Sequence, residues 1–267
     1  MNSSFSRRVR AGERLHGSFA FLPSPGAVEI LGRAGLDFVI IDQEHSRKGW
    51  DVVENMVRAA DAAGIAALVR VAWNEEKEIL HALETGAAGI VLPFVESADD
   101  VKRAAAALRY APEGTRGTCT QTRAAGYGAN KQGFVAYARQ CNRELLLVGQ
   151  IESRKGLENI EAIAGVEDGL DVVFLGRSDL ASDLGKPGQT ADPEVEAASQ
   201  RIVDAARAAG KVSGLAHYEA AECAAWGARG CRFFALASES GFLLRSVAAF
   251  RAEADAAFGA APAPRGG

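Results

Sequence analysis

Eight short apolar runs, separated by amphipathic segments, predict a (β/α)8 TIM barrel for this 267-residue chain. Three observations carry that reading. The runs are continuously apolar rather than alternating, as strands covered on both faces are. Four times a glycine ends a helical segment just before a strand, in AGLDFVIID, TGAAGIVLP, DGLDVVFLG and WGARGCRFFAL; a left-handed glycine there turns the chain back toward a sheet. Eight strand–helix units in roughly 250 residues is also the size of such a barrel. An open, doubly wound sheet is the alternative, but no GxGxxG follows the first run.

The elements fall in order. The first strands are expected at 17–22 (GSFAFL) and 38–42 (FVIID), with a helix over 51–64 (DVVENMVRAADAAG) behind them. Strands at 67–71 (ALVRV) and 89–93 (GIVLP) lead into a helix over 97–111 (SADDVKRAAAALRYA). Strands follow at 145–152 (LLLVGQIE) and 172–176 (VVFLG), then a helix over 193–210 (PEVEAASQRIVDAARAAG). The last two strands are 211–216 (KVSGLA) and 232–237 (RFFALA). The closing stretch SGFLLRSVAAFRAEADAAF is apolar enough to close its own barrel or to pack on a partner. One domain over 1–258 is expected, followed by a frayed Pro/Gly/Ala-rich tail at 259–267.

Composition excludes several classes. With net charge −4 and no Lys/Arg block, nothing points to nucleic acid. No run approaches 18 apolar residues, and the arginines near the start have no apolar segment behind them, so neither a membrane span nor a secretory signal is expected. Cys119, Cys141, Cys223 and Cys231 lack CxxC spacing; they read as free thiols in a reducing cytoplasm.

In a barrel of this kind the working groups sit at the strand C-terminal ends. Those ends are unusually polar here. FVIIDQEHS runs straight from a buried strand into Asp42, Glu44 and His45. Arg70 lies inside the third strand between two valines, where a guanidinium needs a carboxylate such as Asp42 or Glu152, or a substrate anion. Gln150 and Glu152 finish the fifth strand, Arg177 and Asp179 follow the sixth, and His217 and Tyr218 follow the seventh. Glu152 and Asp179 come from neighbouring strand ends. Two carboxylates completed by water and substrate oxygens suit Mg²⁺ or Mn²⁺ better than a closed zinc site, although a bound cationic side chain such as Arg70 would also balance them. A Schiff-base mechanism would need a lysine at a strand end. Lys211 opens its strand at the wrong end, Lys155 lies a turn into a helix, and the other lysines are read as lying in helices or outer loops.

Taken in order, DFVIIDQEH, LVRVAWNEEKEILHALETGAAGIVLPFV, RYAPEGTRG, QIESRKGLENIEAIAGVEDGLDVVFLG and SDLASDLG resemble the HpcH/HpaI aldolase family, the metal-dependent class II pyruvate aldolases. The resemblance covers nearly the whole chain. It implies a (β/α)8 barrel whose last helix is exchanged between partners, in a dimer-based homo-oligomer that is commonly a hexamer. It implies Glu152 and Asp179 as metal ligands and Arg70 on the 2-oxo or enolate oxygen of the substrate. Gln150 and Ser178 would lie beside the substrate, and His45, near Asp42, would exchange the proton of the aldol hydroxyl. The expected reaction is carbon–carbon cleavage or formation on a small 2-oxo acid through a pyruvate or oxaloacetate enolate. A condensing enzyme using oxaloacetate and acetyl-CoA, as in siderophore-type citrate synthases, is the alternative within the family, and a non-catalytic barrel is the third reading.

The chain departs from the family pattern in four places. EHSRKG replaces EHGP, putting Ser46 and Arg47 at Gly and Pro; GRSDLA puts Arg177 where proline is common; LETG carries Glu84 in place of an aspartate; and RGTCTQTRAAGYG replaces RGxG with Thr118 and Cys119. Arg47 and Arg177 suggest a more anionic substrate, unless they point to solvent or pair with Asp183 or Glu44. Glu84 precedes its strand, at the wrong end of its own barrel, so a catalytic role for it would need a neighbouring subunit.

Overall fold

The computed structural model of the chain describes residues 3–129 and 131–259. All eight expected strands form: β1 (Leu15–Ala20), β2 (Phe38–Asp42), β3 (Ala66–Arg70), β4 (Gly89–Leu92), β5 (Leu146–Ile151), β6 (Val172–Leu175), β7 (Val212–His217) and β8 (Phe233–Ser238). They pair in parallel in chain order, and β8 pairs with β1 to close a (β/α)8 barrel. The first strand begins two residues earlier than the sequence suggests. From residue 260 onward, the expected tail lies outside the described residues.

Side chains alternate between two cores along each strand, as a pleated backbone requires. Phe38 and Ile40, Ala66 and Leu68, and Leu146 and Val148 fill the barrel. Val39 and Ile41, Ala67 and Val69, and Leu147 face the helices. This parity sets up the site. One step further along the inward series are Asp42 on β2, Arg70 on β3 and Gln150 on β5, with Glu152 the next inward position.

The helices are α1 (Ser3–Arg10), α2 (Pro25–Arg33), α3 (Trp50–Ala63), α4 (Glu76–Glu84), α5 (Ala98–Leu108), α6 (Phe134–Glu144), α7 (Arg154–Glu158), α8 (Ile160–Ala164), α9 (Arg177–Asp183), α10 (Pro193–Ala208), α11 (Ala220–Arg229) and α12 (Glu239–Phe258). Their starts have local causes. Ser24, Ser97, Ser153 and Asp192 each accept a backbone N–H of the first turn, and Pro25 and Pro193 supply a preset φ at the next position. The expected left-handed turns occur at Gly35 and Gly86, but in DGLD it is Asp168 that takes positive φ, at 49°.

Helix α1 was not expected from the sequence. Its Phe5 and Val9 join Leu15 and Phe38 in the interior cluster and plug the lower end of the barrel. Phe5 lies 5.7 Å from the Phe38 ring, which stacks at 4.1 Å on Phe233. Burying Phe5 and Val9 is what gives this arginine-rich start a helix.

At β8 one extra residue slips in: Gly17 opposes Ala235 and Phe19 opposes Ser238. Ala237 takes a φ of 50° within that bulge, and the chain then enters α12. Among the residues of α12 only Glu239 is buried. Leu244 and Phe250 are each 72% exposed, so the helix does not close its own barrel. It leaves open a groove of about 700 Å³ lined by Ala220, Cys223, Ala224 and Gly227 of α11 with Phe234 and Leu236 of β8.

Candidate active site

Asp42 is fully buried at the end of β2, directly opposite Arg70 in the β2–β3 register. Its Oδ1 accepts from Arg70 Nε at 2.6 Å and from the Glu44 amide at 3.1 Å, and its Oδ2 accepts the His45 amide at 3.0 Å. Both Asp42 oxygens are thus engaged within the protein: the carboxylate orients Arg70, one of the two partners the sequence offered it, and shapes the loop that carries Glu44 and His45.

Arg70 is 4% exposed, with its guanidinium carbon 4.7 Å from the centre of the Phe19 ring. Its Nη1 pairs with Glu44 at 3.0 Å. Removing Arg70 altogether would strand the buried Asp42 carboxylate, a loss of about 3–5 kcal/mol in comparable pairs. A lysine at this position is the gentler probe.

Glu44 is the site residue that sequence reasoning left out of its roles. It bridges Arg70 and His45, whose Nε2 lies 3.8 Å away. Burial raises its carboxyl to about 7 against the pull of Arg70, and the Asp42 and Asp179 charges push the same way. The signal was present in the motif, but a loop has no periodicity from which to read where a side chain points. His45 is mostly exposed at the loop tip, so its imidazole is open to a substrate proton while its backbone is fixed.

Across the mouth, Glu152 is 1% exposed. Its Oε1 accepts the Phe94 amide at 2.8 Å and its Oε2 accepts from Gln150 Nε2. Burial, with the charges of Glu44 and Asp179, raises its carboxyl to about 7. Gln150 keeps a buried Oε1 without a hydrogen-bond partner. Asp179 lies in the first turn of α9, half-buried. Gly176, at the end of β6, was also missed: a Cβ there would sit 2.5 Å from the Glu152 Cβ and 2.4 Å from its Oε2. Only glycine leaves Glu152 its place.

No three His, Cys, Asp or Glu side chains converge into a metal cage among the described residues. The oxygen-only set of Glu152, Asp179 and the unpartnered Gln150 Oε1 nevertheless suits a hard divalent ion completed by water and substrate oxygens. A buried carboxylate whose ionisation is held back by burial and like charges is the group such an ion would relieve.

Five expected residues lie elsewhere or play no visible part. Arg177 is not at the mouth. Its guanidinium is buried between Glu196, the Thr190 carbonyl and the Trp226 ring, so its charge is already matched. Arg47 and Ser178 are exposed. Glu84 ends α4 and pairs with Arg116 at 3.1 Å, at the end of the barrel opposite Asp42, as its place before β4 implied. His217 lies on the outer face of β7, 3.9 Å from Glu222 of α11. Lys48 is the reverse case. Read as an outer-loop lysine, it turns back and donates from Nζ to the Asp42 carbonyl at 2.6 Å, at a strand end.

Fold and site together define a barrel enzyme with a fixed guanidinium, an exposed imidazole and convergent carboxylates at its mouth. Residues 16–245 match the profile of the HpcH/HpaI aldolase/citrate lyase family, and the chain belongs to that family. It is 39% identical to a hydroxypyruvate/pyruvate aldolase of Sagittula stellata over 73% of this chain and 75% of that one. It is 35% identical to a 5-keto-4-deoxy-D-glucarate aldolase of Shigella dysenteriae over 90% and 91%. A family member of known structure from Burkholderia cenocepacia superposes with a TM-score of 0.89 at 31% identity, covering 95% of this chain and 99% of that one. The citrate synthase SbnG superposes at 0.84 and 30%, covering 94% and 96%. The chain is accordingly an aldolase-type carbon–carbon lyase.

Two outcomes follow from this geometry. Gly176→Ala should displace Glu152 and lower turnover by about 10²-fold, the usual effect of a roughly 1 Å misplacement; wild-type rates by steady-state assay would remove Gly176 from the site. Glu44 and Glu152 ionise later in the folded chain than at their ordinary value of 4.5. Folding therefore takes up protons between 4.5 and about 7, and the stability these groups contribute is complete below 4.5 and lost as pH rises through about 7. In chelator-treated protein the melting temperature should fall from about pH 5 to about pH 8, and Glu44→Gln should shrink that fall. An identical profile in the variant would contradict the assignment.

Proposed function

We propose that the chain cleaves and forms aldols of 2-oxo acids through a pyruvate or oxaloacetate enolate, with Mg²⁺ or Mn²⁺ held by Glu152 and Asp179. The observation that carries this reading is Arg70, locked by Asp42 and Glu44 at the barrel mouth with the acidic pair Glu152 and Asp179 alongside. When bound, the ion supplies Lewis-acid polarisation of the 2-oxo group. Arg70 presents a fixed positive charge to the oxygen that becomes the enolate, and its two carboxylate partners leave it little freedom to reorganise. Gln150 orients the bound acid. His45 takes the proton of the aldol hydroxyl during cleavage and returns it during addition, and Glu44 steadies the imidazolium in between. Buried Asp42 and Phe19 keep water away from the guanidinium.

The condensing alternative, oxaloacetate with acetyl-CoA, drew on Arg47 and Arg177 as extra cations. With Arg177 paired to Glu196, only exposed Arg47 remains for that role. The four free cysteines support a reducing cytoplasm as the site of action, and among the described residues no helix is long and apolar enough to cross a membrane. The exposed face of α12 and the open groove beside α11 support exchange of that helix between protomers of a homo-oligomer, dimer-based and extending to a hexamer. On that reading, Leu244→Glu combined with Phe250→Glu should shift sedimentation toward the monomer, and an unchanged profile would place the contact elsewhere.

The test of function uses chelator-treated protein with oxaloacetate and with a 4-hydroxy-2-oxo acid, each with and without Mg²⁺ or Mn²⁺, and then with acetyl-CoA. Metal-dependent pyruvate without thiol release is the expected result. Citrate with free thiol would move the protein to the condensing branch, and no pyruvate from either acid would sink the enolate site. Arg70→Lys should cost about 10²–10³-fold in kcat in the same assay, the usual effect of losing one oxyanion donor.

A further inference from the structure

We infer that Lys48 is a positioning residue for the proton-transfer half of the reaction, clamping the loop between β2 and α3 so that Glu44 and His45 face the substrate. The inference rests on the enolate reading above and adds a residue to it.

The loop runs from Asp42 to Gly49, and Asp42 is its hub. The Asp42 carboxylate holds the amides of Glu44 and His45. Its carbonyl is held from the other side, by Ser46 Oγ at 2.6 Å and by Lys48 Nζ at 2.6 Å. Lys48 also donates to Ser46 Oγ, and its own carbonyl accepts from Gln43 Nε2 at 2.9 Å. Every residue from 43 to 46, and Lys48 itself, is thus tied to the strand end or to another member of the loop, apart from the side chains of Glu44 and His45. Those two are left at the tip, on Arg70 and open to the mouth.

A lysine in a surface loop ordinarily keeps its ammonium in water. Lys48 folds back instead and becomes half-buried, and burial pulls its amine below the ordinary value. That cost is met by the Asp42 carbonyl, the Ser46 hydroxyl and the negative charges of Asp42 and Glu239. Glu239 comes from the start of α12, 94% buried, where it accepts the Leu22 amide. Arg70 faces the same ammonium with like charge. Ser46 and Arg47 depart here from the Gly-Pro of the family pattern, so the stiffness a proline would lend is absent. The Lys48 ammonium supplies a cross-link in its place.

Two reactions of one enolate separate this role from a general one. Aldol cleavage needs His45 to take a hydroxyl proton. Decarboxylation of oxaloacetate forms the same enolate by losing CO₂, with no such proton to remove. Lys48→Met should therefore lower kcat for cleavage of a 4-hydroxy-2-oxo acid by about 10²-fold, with KM nearly constant. Oxaloacetate decarboxylation by the same preparation should stay within about twofold, and Lys48→Arg, which keeps a donor cation, should recover most of the cleavage rate. Cleavage unchanged in Lys48→Met, or both reactions falling together, would overturn the inference. So would Lys48→Arg performing no better than Lys48→Met. A wild-type protein that releases pyruvate from neither acid would instead defeat the enolate reading, and the inference with it.

Discussion

The contact between Arg70 and Asp42, inside the mouth of the barrel, is the interaction on which the site depends. Both side chains point inward because strand parity puts them there, opposite each other in the β2–β3 register. Neither is tolerable alone at 4% and 0% exposure. Paired, they fix a guanidinium in a place walled by Phe19 and shielded from water. Such a charge is more effective on a developing oxyanion than one that must reorganise in solvent.

Asp42 also carries this order outward. One residue uses its carboxylate for Arg70 and two loop amides and its carbonyl for Ser46 and Lys48. Loops generally carry function and are mobile. This one is tied back to the most buried ion pair in the site. On the opposite side the constraint is steric: Glu152 has its place because Gly176 offers no Cβ. The two sides meet electrostatically, since the charge of Glu44 disfavours ionisation of Glu152 and the charge of Asp179 disfavours ionisation of both.

Much of this was legible in the chain. Arg70 between two valines could only face inward or be unpaired, and the structure confirms the inward choice. FVIID predicted a strand with both faces covered, and Asp42 at its end. Glu44, Arg177 and Lys48 were read less well, for one reason. Each lies past a strand end, where no period of two or 3.6 says which way a side chain points. Arg177 found Glu196, Thr190 and Trp226, contributed by later parts of the chain. Lys48 found a carbonyl six residues behind it, which depends on how the loop folds back. Helix α1 escaped notice because Phe5 and Val9 are buried against residues that include Phe38 and Phe233, contributed by strands further along the chain.

By itself, then, the sequence determined the barrel, its strand order and the gathering of Asp42, Arg70, Gln150 and Glu152 at strand C-terminal ends, because apolar runs and glycine turns are local. Only the tertiary structure decided that Asp42 is spent on Arg70 and on its own loop, and that Glu44 stands between Arg70 and His45. It likewise decided that Gly176 makes room for Glu152 and that α12 leaves its apolar face uncovered. Those are outcomes of which distant groups compete for one buried charge or one small volume, and that competition exists only once the barrel has closed.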